Sequence, residues 1–218
     1  MESKLHRLVV ISGIVVFLMI LGFAMAFMVI RADSKNHSAS TDLIVTEDTN
    51  SRVVLFMDTW STPPYEYWFG SPSSPEWQVW WDEKVNPHID EVLVPFAFYL
   101  RENAIPIVFS PNERNLSRAF RQDLWLCPII NKSIDLDAYL RGMEIDTIYY
   151  TGYASNLCVM NRPTGIISMH ELGYKVVLIE DATLPVPNVE MSYKEALREI
   201  EKVGEIITIK EFKDLINK

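Results

Sequence analysis

Cysteine is nearly missing from these 218 residues, with Cys127 and Cys158 the only two. Two thiols cannot build a disulfide framework, so at least one of them needs another reason to be present. No two cysteines stand at C-x-x-C spacing, and His6, His37, His88 and His170 are scattered without metal-ligand intervals. That argues against a structural zinc site, and no cofactor or metal is expected. Glycine is sparse, at eight, and nowhere forms a phosphate-cradling loop. Positive charge is also in deficit, with 20 basic against 29 acidic residues. Setting aside Glu2, Lys4, Arg7 and Arg31 leaves 17 against 28, a net charge of about −11, which repels nucleic acid and anionic lipid surfaces.

What residues 8–30 lack is charge. Residues 8–30 form an unbroken apolar run, which as a helix reaches roughly 34 Å and suffices to cross a bilayer core. A cleavable signal peptide competes, because Lys4 and Arg7 precede the run and Ala24-Met25-Ala26 has the small-x-small pattern of a cleavage site. A retained single-pass anchor is the preferred reading, since Phe27, Met28, Val29 and Ile30 carry the run past that site. Lys4 and Arg7 on one side nearly balance Arg31 and Lys35 on the other. The short tail 1–7 is expected in the cytoplasm and the domain on the non-cytoplasmic side, or secreted if the segment is cleaved. Residues 31–50 are polar, without apolar period, and read as a linker to a domain at 51–218.

Within that domain short apolar runs alternate with helical periodicity. Runs at 53–57, 105–109, 128–130, 147–150, 175–179 and 205–208 predict six strands buried on both faces. Apolar residues spaced three and four apart predict helices over 90–103, 136–143, 157–172 and 192–203. The alternation predicts an α/β fold, a three-layer α/β/α sandwich around a mostly parallel six-stranded sheet, preceded by the N-terminal transmembrane helix. One segment breaks the rhythm, the stretch 61–81 with Tyr65, Tyr67, Trp68, Phe69, Trp77, Trp80 and Trp81. It reads as a loop after the first strand, serving as an aromatic cover for the sheet edge, a substrate-pocket wall, or both.

Reactive groups in such sheets gather at the carboxyl ends of strands. Asp58 closes the first run, Asn131 and Lys132 follow the third, and Cys158 follows the fourth at the start of the next helix. A cysteine there is expected to have its pKa lowered by unpaired N–H groups. Alone, each has a structural reading too: a buried thiol, a capping carboxylate, a solvated lysine.

The words around Cys158 narrow these alternatives. Ile145-Asp146-Thr147-Ile148-Tyr149-Tyr150-Thr151-Gly152-Tyr153-Ala154-Ser155-Asn156-Leu157-Cys158-Val159 resembles the central motif of the isochorismatase-like cysteine hydrolases, and Gly173-Tyr174-Lys175-Val176-Val177-Leu178-Ile179-Glu180-Asp181-Ala182 resembles the strand that follows it. The resemblance implies an Asp58, Lys132, Cys158 catalytic set. It also implies a non-proline cis peptide joining Tyr153 to Ala154, so that the N–H groups of Ala154 and Cys158 form an oxyanion hole. It implies further a hydrolase acting on a C–N bond of a small amide or ureido substrate through a thioester.

Departures are equally specific. Asp58-Thr59-Trp60 replaces the family's Asp-x-Gln, and no Asp-x-His metal pair stands at 110–118, which disfavours a nicotinamidase. By the same resemblance, the interval from Cys158 to Gly173 is about three residues longer than usual and contains Asn161-Arg162-Pro163-Thr164-Gly165. Arg162 there can bind a substrate carboxylate or enter a structural ion pair. Trp60 and Arg162 are accordingly the candidate substrate-binding residues. Two other readings stand beside the amidohydrolase: an isochorismatase-type vinyl-ether hydrolase, and a catalytically silent, membrane-tethered binding domain of the same fold. The expected partners are a small-molecule substrate, the membrane and a second copy of the chain. Cys127 reads as a buried thiol, too far along its strand from Cys158 for a disulfide, so both thiols are expected to be free.

Overall fold

In the computed structural model, residues 51–59, 79–111, 120, 126–187 and 189–217 are described, all within the compact unit Glu47–Lys218. The expected tail 1–7, anchor 8–30 and linker 31–50 lie outside these residues, as do Trp60 and the aromatic segment up to Gln78. Among the described residues, no helix is long and apolar enough to cross a membrane.

Five parallel strands, β1 (Arg52–Met57), β2 (Ile107–Ser110), β3 (Thr147–Tyr153), β4 (Lys175–Leu184) and β5 (Glu205–Ile207), form one sheet in the order β2-β1-β3-β4-β5. The sixth strand expected at 128–130 is reduced to a single bridge of Ile129 with Phe109. The N–H of Phe109 donates to Pro128 O at 2.9 Å and that of Ile130 donates to Phe109 O at 2.8 Å. Pro128 has no N–H with which to lengthen the ladder.

The helices are α1 (Val94–Glu102), α2 (Ser133–Gly142), α3 (Cys158–Asn161), α4 (Ile166–Glu171), α5 (Tyr193–Ile200) and α6 (Ile209–Ile216). Helical backbone already begins before α1, as π-helical turns at Trp81–Val85 and Ile89–Leu93 flanking Asn86–His88. The single helix expected over 157–172 is split into α3 and α4. Arg162 and Gly165 both adopt extended backbone between the two helices, with Pro163 unable to supply a helical N–H. Helix α6 has no counterpart among the expected helices. A Thr208–Glu211 capping box starts it, with the Thr208 N–H donating to Glu211 at 2.7 Å.

Strand β1 shows how two cores arise from one period. Val53, Leu55 and Met57 enter a cluster with Leu136 of α2, Met169 of α4 and Ile200 of α5. Val54 and Phe56 enter the opposite cluster with Phe96 and Leu100 of α1 and Phe212 of α6. Alternate side chains of a strand face opposite ways, so a six-residue run buried throughout needs helices on both sides. The three-layer arrangement follows.

This strand order carries a switch point between β1 and β3. The chain leaves β1 toward β2 on one side, then returns to lay β3 on the other side of β1. Such a switch point is where open α/β sheets form a ligand crevice, at the carboxyl ends of the two strands.

Candidate active site

Both sides of that crevice are shaped by unusual backbone. Asp58, directly after β1, sits at φ +55°, and its N–H donates to Ser110 O at the end of β2 at 3.1 Å. Its side chain is wholly buried. Gly152 of β3 sits at φ +105°, where a Cβ would stand 2.0 Å from Met57 O. Only glycine lets β3 approach β1 this closely, and pairing with β4 shifts register between Tyr150 and Gly152.

Beyond β3 the chain turns sharply through Ala154, at φ +60°. The N–H groups of Leu157 and Val159 both donate to Ala154 O, at 2.9 and 3.1 Å. Cys158 is thereby placed at the first position of α3, 2% exposed. The expected Tyr153–Ala154 cis peptide is not present, since no peptide bond among the described residues is cis. The left-handed conformation of Ala154 makes the reversal instead. Among the described residues, neither the Ala154 nor the Cys158 N–H is spent on a backbone carbonyl in this turn.

The lengthened interval after Cys158 folds back into the crevice. The Arg162 N–H donates to Cys158 O at 3.1 Å and the Gly165 N–H donates to Arg162 O at 2.8 Å, closing two successive tight turns. Thr164, fully buried, ties this loop to the strand ends. Its hydroxyl shares a hydrogen bond with Ser110 Oγ at 3.0 Å, and its carbonyl accepts from the Tyr150 hydroxyl at 3.1 Å. Held in this way, Arg162 Nη1 makes an ion pair with Asp58 Oδ1.

Cys158 completes the cluster, with its thiol in hydrogen-bonding reach of both Asp58 and Arg162. Burial pushes the thiol far above its ordinary value, and the Asp58 carboxylate pushes it the same way, while Arg162 opposes both. This corrects the expected lowering. Helix α3 has a single turn of four residues and little dipole to offer, whereas the desolvation of an almost wholly buried sulfur is large.

Of the residues singled out from the sequence, Asp58, Cys158 and Arg162 come together, and Lys132 does not join them. Lys132 is exposed at the residue preceding α2 and makes no ion pair with Asp58 or Cys158. Its chain segment follows the Pro128–Ile130 bridge rather than a full strand, and the cation against Asp58 is Arg162. Trp60 lies outside the described residues. His170 is exposed at the end of α4, and His88 turns Nε2 toward Asp181 O at 3.3 Å, with its pKa lowered by burial. Neither acts as a base beside Cys158. Ser110, Thr164 and Asn156 were not singled out, though the inserted Thr164 marked the unusual interval in which it stands. No group of three His, Cys, Asp or Glu side chains suited to a metal occurs among the described residues. A cavity of about 790 Å³ opens at the opposite end of the sheet, beside Arg52, Asp146 and Lys175, away from these residues.

Residues 130–211 match the family described as the isochorismatase domain. That stretch is similar to the isochorismatase domain, and the rest of the chain is related to it through the fold. The match takes in Cys158 and Arg162 and leaves Asp58 to the fold. No curated protein matches the sequence. Solved structures resemble the chain in fold at low identity. A cysteine hydrolase from Pseudomonas syringae pv. phaseolicola 1448A has 16% identity and a TM-score of 0.57, covering 83% of this chain and 99% of its own. The MAR1 ribonuclease from Caenorhabditis elegans has 16% identity and a TM-score of 0.55, covering 77% and 81%. An isochorismatase family protein from Burkholderia thailandensis has 15% identity and a TM-score of 0.52, covering 78% and 97%.

Proposed function

We propose that this protein is a cysteine-dependent hydrolase cleaving a C–N bond of a small amide or ureido substrate, with Cys158 as nucleophile, Asp58 as acid–base and Arg162 as the cation of the site. The observation that carries this reading is the contact of all three side chains in one buried cluster at the switch point. The Pseudomonas syringae neighbour, described as a cysteine hydrolase, is consistent with it. The ribonuclease among the neighbours is a reminder that this fold does not fix the substrate.

In the resting site the thiol is neutral, because burial and Asp58 both disfavour the thiolate. Asp58 takes the proton as the sulfur bonds to the substrate carbonyl carbon, and the C=O electron pair moves onto oxygen. The N–H groups of Ala154 and Cys158 are the donors available to that oxyanion. As the electron pair returns, the C–N bond breaks and the amine leaves with the proton from Asp58. Water then attacks the thioester carbon, giving one proton to Asp58. The acid departs as Asp58 returns that proton to sulfur. Arg162 holds Asp58 in place between proton transfers and offsets negative charge on sulfur as it develops.

A screen of small amides and ureides with the purified chain, read by amine or ammonia release, tests this. Turnover by the native protein, loss in Cys158→Ala and an acyl adduct on Cys158 by intact mass are expected. Full turnover in Cys158→Ala defeats the reading. A silent binding domain is favoured by one observation, the engagement of Asp58 by Arg162 beside a thiol that resists ionisation. Absence of both turnover and adduct across the screen decides for it.

A further inference from the structure

Beside the Cys158 turn lies a second cavity of about 440 Å³, within the usual range of small-ligand pockets, roughly 300–1,000 Å³. Its described walls are predominantly apolar, with Trp80, Pro185, Val186, Val189 and Met191 prominent, and Lys84 is the only charged residue among them. Trp80, Val186, Val189 and Met191 pack in the same apolar cluster as Cys158. In a chain of net charge −9, a lone cation at an apolar cavity selects for negative charge on the ligand.

The cavity is built rather than incidental. Asn156, two residues before the nucleophile and 2% exposed, pins the loop after β4 with three hydrogen bonds. Its Nδ2 donates to Val186 O at 3.0 Å and to Met191 O at 2.9 Å, and its Oδ1 accepts from the Val186 N–H at 2.8 Å. The Ser155 N–H donates to Leu184 O at 3.1 Å, fixing the start of the same loop. One residue thus sets both the nucleophile's turn and the cavity wall, so a group seated in the cavity is held in fixed relation to Cys158. Lys84 is exposed and has no ion-pair partner among the described residues.

We propose that this cavity is the subsite for the non-reacting part of the substrate, and that this part is an apolar, aryl- or alkyl-bearing group carrying a carboxylate that faces Lys84. The assignment rests on the function proposed above, and it is tested by binding, which needs no turnover.

The probes are 3-phenylpropanoate and its uncharged counterpart 3-phenylpropan-1-ol, titrated calorimetrically into the full chain. The carboxylate is expected to bind about fivefold more tightly, the effect of one partly exposed ion pair. Lys84→Gln should erase that preference and leave the alcohol unchanged. Val189→Trp should weaken both ligands by about tenfold or more by filling the apolar wall. Pro187→Trp replaces Val189→Trp if the latter lowers Tm. Saturating 3-phenylpropanoate should also slow alkylation of Cys158. An undiminished preference in Lys84→Gln, native affinity in the tryptophan variant, or alkylation unaffected by bound ligand would each overturn the assignment. A cavity that binds as expected beside a Cys158 that forms no acyl adduct would instead remove the proposed catalysis and leave the binding site standing.

Discussion

Asp58 and Arg162 meet in an ion pair in which the carboxylate is wholly buried and the guanidinium side chain only 15% exposed. Such a pair gains little over an apolar replacement, but removing one partner strands the other away from water. Arg162→Met is expected to destabilise the domain by about 3–5 kcal/mol in denaturant unfolding. The Asp58→Asn, Arg162→Met double variant should recover a substantial part of that loss. A single variant as stable as the native chain would show that solvent reaches Asp58 freely.

The thiol of Cys158 is expected to alkylate slowly with iodoacetamide, half-maximally well above the ordinary cysteine value of about 8.5. Burial, the largest cause, remains in every variant, so the direction of the shifts is informative. Asp58→Asn removes a negative neighbour and moves the profile to lower pH; Arg162→Met removes the opposing cation and moves it to higher pH. Identical profiles in all three proteins would mean that neither charge senses the sulfur.

Lys132 and Arg162 make opposite predictions for the same role. Lys132→Ala is expected to keep turnover of any substrate found within about threefold, while Arg162→Gln loses at least about a hundredfold, the scale of a missing electrostatic stabiliser. Arg162→Lys should restore part of it, since the charge returns without the planar fork. A collapse of kcat in Lys132→Ala, with Arg162→Gln intact, would hand the cationic role back to Lys132.

Gly152→Ala is expected to be among the most damaging small changes in the chain. Its methyl would lie 2.0 Å from Met57 O at a φ of +105°, forcing β1 and β3 apart at the site. A loss on the order of 3 kcal/mol or more is expected by thermal or denaturant unfolding. Gly142→Ala, where nothing lies within 4 Å, is the control.

Two titratable thiols are expected on unreduced, denatured protein, because Cys127 and Cys158 are both free. A count of zero would require a bridge that the fold does not make.

Much of this site was legible because apolar runs end where chemistry begins. Val53 to Met57 closed on Asp58, and β1 ends at Met57; the run 147–150 led to the Cys158 turn, and β3 carries it on to Tyr153. The inserted Arg162 was visible as an oddity of spacing, with an ion pair among its readings. Its partner was not visible, because no local pattern reveals that Thr164 would anchor the loop to Ser110 and Tyr150. Lys132 was misplaced because Pro128–Ile130 reads as a strand by composition, and strand-end logic then carried Lys132 to the crevice. The split between α3 and α4 was signalled by Pro163 and Gly165, yet apolar periodicity continues across them from Val159 to Met169. Helix α6 was overlooked despite its cap and the spacing of Ile209, Phe212 and Ile216.

The truncated sixth strand has a use of its own. Beside β2, the Pro128–Ile130 bridge occupies both the N–H and the C=O of Phe109, and Pro128 itself offers no donor outward. At the far border, β5 is three residues long. A foreign strand seeking to extend the sheet would find a blocked row on one side and a very short one on the other. The sheet is thereby guarded at both borders against edge-to-edge aggregation, and lengthening the 128–130 segment into a regular strand would expose a new template for it.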